Sequence, residues 1–327
     1  MSLIKARFLT LKRTQRRAKM HFLKALFIPL FSLLLTFNAY AEPVEVLIPK
    51  GSSVKSIAKQ LDEAGVIASP LLFEGWLRVT RQTGALHAGR YVFETEDGMR
   101  AAISKMVEGD VALEKLTIPE GLTVAEVLTK LKNDERLTGP LPQGVPEGSL
   151  LPETYSFSIG TTRKSLITTM QYDMKNVVDE AWAKVDPLSP LLSRDQMVTL
   201  ASIIEKETAL PHEYETVSGV YTNRLKINMK LQADPTVIYG LEDYDGDIRK
   251  KDLRNPHPYN TYVHKGLPPT PIANPGRGAI MAAANPADVP YIYFVADGKG
   301  GHVFAKTHNE HKKNVQAYLK ALRSRAK

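Results

Sequence analysis

Seventeen uncharged residues, Ala25 to Ala41 (ALFIPLFSLLLTFNAYA), follow a head that carries Lys5, Arg7, Lys12, Arg13, Arg16, Arg17, Lys19 and Lys24 and no acidic residue. Basic first and apolar second is the pattern that threads a segment into a membrane and sends the rest of the chain outward. A run of about 17 residues is close to the minimum for a spanning helix. It also closes on Ala39-Tyr40-Ala41, an A-x-A pattern that a signal peptidase cuts, here before Glu42. Residues 1–24 therefore read as a basic cytoplasmic head, and 25–41 as a transmembrane anchor or a cleaved signal. Either way the folding part of the chain works outside the cytoplasm.

The same head explains the net charge. Lys and Arg number 43 against 35 Asp and Glu, and setting aside the eight basic residues of the head leaves the signs balanced. Binding to nucleic acid needs a basic face that displaces counterions. No Lys/Arg cluster stands out after Ala41, so no nucleic-acid partner is expected. The absence of cysteine excludes disulfides, thiolate metal sites, a Cys nucleophile and a lipid-modified Cys anchor.

A chain of 327 residues is long enough for two folded parts. The stretch VEVLIPKGSSVKSIAKQLDEAGVI alternates as a strand through Val44, Val46 and Ile48, turns at PKG, and opens a helix capped by Ser53. About seventy residues on, EKLTIPEGLTVAEVLTKLKND repeats it. Ile48, Pro49, Gly51, Val54, Ile57 and Leu61 correspond to Ile118, Pro119, Gly121, Val124, Val127 and Leu131, and Thr123 with Glu126 forms a capping box. The two units are expected to pack on each other or on a shared sheet. With helices near Pro70–Gln82 and Met99–Val107 and a strand at GRYVF, residues 43–138 read as a small α+β module. Pro- and Gly-rich 139–157 reads as a linker, and 158–327 as a larger mixed α/β domain. Its helices are expected near Lys164–Lys184, Arg194–Leu210 and Glu213–Lys226, followed by long loops, a hairpin from YIYFVA to HVFAK, and a last helix opened by Thr307 and Glu310. The fold class is α+β. Loops this long inside a domain are usually functional.

The helix around ASIIEKETAL carries two glutamates in apolar sequence. Counting from the cap at Ser193, Met197, Leu200, Ala201 and Ile204 share the apolar face, with Glu205 on one flank and Glu207 on the other, roughly 200° apart. Two such residues cannot face each other as an acid/base pair. Either is an ordinary boundary residue or a carboxylic acid whose pKa burial raises, able to protonate a glycosidic oxygen. The loops beyond this helix supply Gln232, Asp234, Thr236, Asn260, Thr261 and Tyr262, amides and rings of the kind that suit a sugar polymer. Periodicity leaves the choice between the glutamates open.

ASIIEKET, VSGVYTNRLKINMKLQADPTVIYG, YNTYVHKGLPPTPIANPG and AAANPADVPYIYFVADGKGGHVFAKTHNEH resemble the membrane-bound endolytic murein transglycosylases, the YceG-like family, over essentially all of the chain from Val44. The resemblance implies a LysM-like N-terminal module and a catalytic domain that cuts the MurNAc–GlcNAc bond of nascent peptidoglycan without water. The muramic acid's own 6-hydroxyl would attack, leaving 1,6-anhydro ends and terminating glycan elongation beside membrane-bound synthases. It implies Glu205 as the catalytic acid, later the base, which leaves Glu207 to a structural or supporting place. The segment EGSLLPETY makes Glu153 and Tyr155 candidate groove residues. No metal or cofactor is implied. A single-pass anchor in the inner membrane, with the bulk in the periplasm, is the expected location, the cleaved soluble form being the alternative. A non-catalytic peptidoglycan-binding adaptor is the rival from another class. A metal hydrolase using His257, His264, His302, His308 and His311 lacks any recognisable ligand motif.

Overall fold

The computed structural model describes residues 42–94 and 97–325. The basic head and the apolar run, and with them the choice between anchor and signal, lie outside the described residues. Among the described residues no helix is long and apolar enough to cross a membrane. The fold is mixed α+β, and the chain divides into two compact units, one ending at Val111 and one starting at Ala112.

In the first unit, strand β1 (Val44–Ile48) pairs antiparallel with β2 (Gly89–Phe93), Ile48 opposite Gly89. Helices α1 (Val54–Glu63), α2 (Pro70–Val79) and α3 (Gly98–Glu108) complete it. Ser53 caps α1 by accepting from the Ser56 N–H at 3.1 Å. Ile48, Ile57, Leu61, Phe73, Leu77, Tyr91, Phe93 and Met106 close the core. Gly89 has a φ of +156°, and any Cβ there would overlap Val111, so this strand start admits little but glycine.

The second unit opens with β3 (Glu114–Thr117), helix α4 (Val124–Lys132), β4 (Thr154–Phe157) and helix α5 (Arg163–Trp182). The β3–β4 pair sets Leu116 opposite Tyr155. The predicted capping box forms: Thr123 accepts from the Glu126 N–H at 3.2 Å, and Glu126 accepts from the Thr123 N–H at 2.8 Å. The two strand-turn-helix copies share no sheet, each finding its own partner strand. The boundary between units falls at Val111, inside the span 43–138 expected as one module, so the second copy belongs with the larger unit. The supposed linker 139–157 is packed as well. Leu150, Leu151, Tyr155 and Phe157 are buried, and Leu150 N–H donates to Asn274 Oδ1 at 2.9 Å.

The rest is mostly helical: α6 (Arg194–Glu207), α7 (Tyr214–Lys226), α8 (Asp234–Tyr239), α9 (Arg277–Ala284), the hairpin β5 (Tyr293–Ala296) with β6 (His302–Ala305), and α10 (His308–Arg325). Helix α6 is the centre of this layer. Its residues from Met197 to Ile204 are all buried, against α5, α7 and α9. Ser193 caps it as expected, but Gln196 Oε1 accepts from the Leu192 N–H rather than from that of Ser193.

Candidate active site

The last turn of α6 sends its two glutamates into different surroundings. Glu205 is half-buried and held at both oxygens: Oε1 accepts from the Tyr214 hydroxyl at 3.1 Å and Oε2 from the Gly276 N–H at 2.9 Å. Burial and the Glu205 charge raise the pKa of Tyr214, so that hydroxyl keeps its proton and donates. Two accepted bonds leave further lone pairs on the carboxylate for a ligand. A second carboxyl stands at the same place. That of Glu120 occupies the space a Cβ at Gly276 would need, and no hydrogen bond reaches it among the described residues. Burial, then the charges of Glu205 and Glu153, raise its pKa.

The turn that carries Glu120 is clamped onto α6 and the loop before α9. Asn274 C=O accepts from the Gly121 N–H at 3.0 Å, and its N–H donates to the Leu122 C=O at 2.8 Å. Lys206 Nζ donates to the Gly121 C=O at 3.1 Å. Gly121 has a φ of +75°, and a Cβ there would lie 3.6 Å from Glu205 Cγ. This corner therefore brings together carboxyls from two distant stretches of the second unit, Glu120 and Glu205.

Glu207 faces a separate cleft of about 520 Å³, a size usual for ligand sites. Arg224, Gln232, Asp234, Tyr262, Tyr293 and His302 are among its lining residues. One hydrogen bond reaches the Glu207 carboxyl among the described residues, from the Tyr221 hydroxyl to Oε1 at 2.7 Å. Burial pushes its pKa up to about 7, against the pull of that bond, with the Asp234 charge adding and the His302 and Arg224 charges subtracting.

The candidates drawn from the loops separate in a similar way. Gln232, Asp234 and Tyr262 line the Glu207 cleft, with the Tyr262 hydroxyl donating to Asp234 Oδ1 at 2.6 Å. Thr236, Asn260 and Thr261 are buried, and their polar atoms are taken up inside the fold. The Thr236 and Thr261 hydroxyls meet at 2.8 Å, while Asn260 Nδ2 donates to the Asp252 and Asn255 carbonyls. Their task is to fix the loop that presents Tyr262. Tyr155 is likewise buried, its hydroxyl donating to the Leu151 C=O at 2.7 Å. These four residues, expected as groove contacts, instead hold the walls. Glu153 is exposed, and its charge reaches the corner of Glu120.

Several residues escaped the sequence reading. Glu120 had one signal, a charge reversal at matching positions of the repeat, Lys50 in IPKG against Glu120 in IPEG. Arg224 on α7 is buried and braced by the Ile292 and Leu231 carbonyls at 2.7 and 2.5 Å, its guanidinium 5.5 Å from the Tyr293 ring. Near the Glu207 end of the cleft, Glu213 Oε2 meets His302 Nδ1 at 2.7 Å and accepts from the Thr208 hydroxyl at 2.9 Å. Burial opposes ionisation of Glu213, but its hydrogen bonds from His302 and Thr208 outweigh it and hold its pKa below the usual value. Of the five histidines weighed as ligands, His302 is taken by Glu213, and His308 and His311 face the Tyr293 ring at 5.8 and 5.1 Å.

The sequence pattern of the YceG-like family matches residues 46–317. A Bacillus subtilis (strain 168) protein called endolytic murein transglycosylase is 30% identical over 307 residues, covering 84% of this chain and 85% of that one. A protein of the same description from Streptococcus pneumoniae serotype 2 is 28% identical over 324 residues; the match takes in 84% of this chain and 58% of the longer relative. The crystal structure of a YceG-like protein from Listeria monocytogenes superposes with a TM-score of 0.51 at 31% identity, covering 83% of this chain and 99% of that chain.

Proposed function

Because this chain belongs to the YceG-like family, we propose that it is a lytic transglycosylase of peptidoglycan, cutting the MurNAc–GlcNAc bond with Glu205 as the acid. The observation that carries this reading is the seat of Glu205. A half-buried carboxyl is aimed by a hydroxyl and a backbone N–H into a corner where a second carboxyl resists ionisation. Burial and a neighbouring negative charge both disfavour the ionised form of a carboxyl, which is why Glu120 resists ionisation there.

Glu205 protonates the glycosidic oxygen as the bond to C1 breaks. The 6-hydroxyl of the muramic sugar, already beside C1, closes on it in place of water. An intramolecular nucleophile brings a high effective concentration, which spares the enzyme the water-activating arrangement of an inverting hydrolase. The cleft lined by Gln232, Asp234 and Tyr262 supports the reading by offering hydrogen-bonding groups to a strand. In this reading the residues before Glu42 hold the chain at the membrane, a LysM-like first unit meets the glycan, and cutting beside the membrane-bound synthases ends strand growth.

A second reading places the acid at Glu207, favoured by its pKa of about 7 in a cleft of ligand size. Mass spectrometry of strands incubated with the purified full-length chain tests both, because an anhydro end and a reducing end differ by one water. Anhydro ends from wild type are expected, with a loss of about 10²–10⁴-fold in Glu205→Gln. Glu207→Gln is expected to retain activity within about tenfold. The opposite ranking would move the acid to Glu207, and binding without new ends would identify an adaptor.

A further inference from the structure

The cleft that Glu207 lines also holds a cluster of the opposite sign. Arg224, His308 and His311 surround the Tyr293 ring, the guanidinium 5.5 Å from its centre and the two imidazoles 5.8 and 5.1 Å from it. All four side chains line the cleft. Arg224 is only 6% exposed. Its Nε and Nη1 donate to the Ile292 and Leu231 carbonyls, while Nη2 makes no hydrogen bond among the described residues. Arg224 forms no ion pair there either. The Glu207 charge acts on it, but with a pKa of about 7 that carboxyl is only partly ionised at neutral pH. Asp234 already accepts from the Tyr262 hydroxyl.

His311 Nδ1 is likewise buried and makes no hydrogen bond among the described residues. Burial, then the charges of Arg224 and His308, lower the pKa of His311. Both histidines stand in the first turn of α10, where the helix dipole favours an anion and disfavours a cation. Glu310, the acid of that turn, is spent on the N–H groups of Lys306 and Thr307. Bracing two carbonyls is work that a neutral amide can do. A buried charge with an open nitrogen, crowded by two imidazoles, costs the fold stability and returns none by itself.

We propose that this part of the cleft is an anion subsite that takes a carboxylate of the glycan strand, with Arg224 Nη2 as the main donor and His308 and His311 beside it. The strand as carrier rests on the transglycosylase reading; the affinity for a carboxylate does not. A muramic sugar brings such a group in two ways, on a bare 3-O-lactyl arm or on the stem peptide joined to that arm. Either presents oxygens that accept charge-assisted bonds, and either supplies the counter-charge that the cluster lacks. GlcNAc has no carboxylate, so the subsite sets the register of the strand by admitting a muramic residue.

Three GlcNAc–MurNAc probes test this by calorimetric titration of the full-length chain. One has the lactyl carboxylate free, one carries the stem peptide on the lactyl arm, and one has that arm capped as a primary amide. At least one of the first two should bind about tenfold or more tighter than the amide, and the one that does identifies the source. Arg224→Gln and His311→Gln should each bring that probe to within about threefold of the amide, with the affinity for the amide itself little changed. Equal affinities for all three probes in wild type overturn the proposal, whether or not the variants fold. So does a preference that survives Arg224→Gln, because the carboxylate then binds elsewhere; if that variant fails to fold, His311→Gln decides in its place. Binding needs no cleavage. A wild type that releases no anhydro ends sinks the transglycosylase reading, while a carboxylate preference lost in Arg224→Gln still upholds the subsite.

Discussion

Burial and a single hydrogen bond pull Glu207 in opposite directions. The Tyr221 hydroxyl stabilises the carboxylate, and desolvation destabilises it more. Removing the hydroxyl should hurt the charged form most. Tyr221→Phe is expected to cost about 1.5–3 kcal/mol at pH 8, where Glu207 is ionised, and no more than about half of that at pH 5. Equal costs at both values, read from chemical denaturation, would mean that the bond does not discriminate between the two forms. Helical counting placed Glu205 and Glu207 on opposite flanks of α6 and could go no further. Both are half-buried, and the difference lies in the groups opposite them. Glu205 meets a backbone N–H, a hydroxyl and a rival carboxyl, whereas Glu207 meets an open cleft walled by loops remote in the chain. Of the groove candidates, Gln232, Asp234 and Tyr262 were legible because polar and aromatic side chains in a long loop must face something. Their neighbours Thr236, Asn260 and Thr261 have the same chemistry, and sequence does not say which of them the loop spends on itself.

Elements were easier to anticipate than side-chain directions. Helix caps at Ser53, Thr123 and Ser193, the 3.6-residue periodicity of α6, and the DGKGG turn between β5 and β6 are all local signals, and local physics alone makes them. Pairing between elements is not local. The two strand-turn-helix copies look made for one sheet, yet β1 takes β2 and β3 takes β4, because each strand pairs where its own apolar side chains find a core. Helix α7 illustrates a packing demand that no pattern reveals. At Gly219 a Cβ would stand 2.5 Å from the Ala287 carbonyl oxygen and 2.7 Å from Val289, so the backbone of 287–289 can cross the helix only there. Gly219→Ala should destabilise the protein by about 1–3 kcal/mol despite its better helix propensity. A melting temperature equal to or above that of wild type would show that the segment moves aside without cost.

At the scale of the whole chain, the carboxyl corner and the cleft are both built from residues after Val111, so their chemistry belongs to the second unit. The cleft also costs stability. Glu207 has a folded-state pKa of about 7 against an ordinary value of 4.5, so between those limits the folded protein binds more protons than the unfolded one. Stability conferred by this residue is therefore greatest below about pH 4.5 and declines as pH rises toward 7. Glu207→Gln removes that decline. It should be more stable than wild type at pH 8, by up to roughly 3 kcal/mol, with the gap closing at pH 4. An equal gap at both values would show that the carboxyl is not desolvated in the folded state. Composition, charge order and periodicity sufficed for the α+β class, most helices, the hairpin and the pair of glutamates in question, since each follows from interactions within about a dozen residues. What each glutamate faces, which loop residues reach the cleft, and that the second turn of the repeat delivers Glu120 to Glu205 came only with the folded arrangement. Burial and the meeting of two carboxyls depend on residues far apart in the chain, and their separation in space is set by packing that no local pattern records.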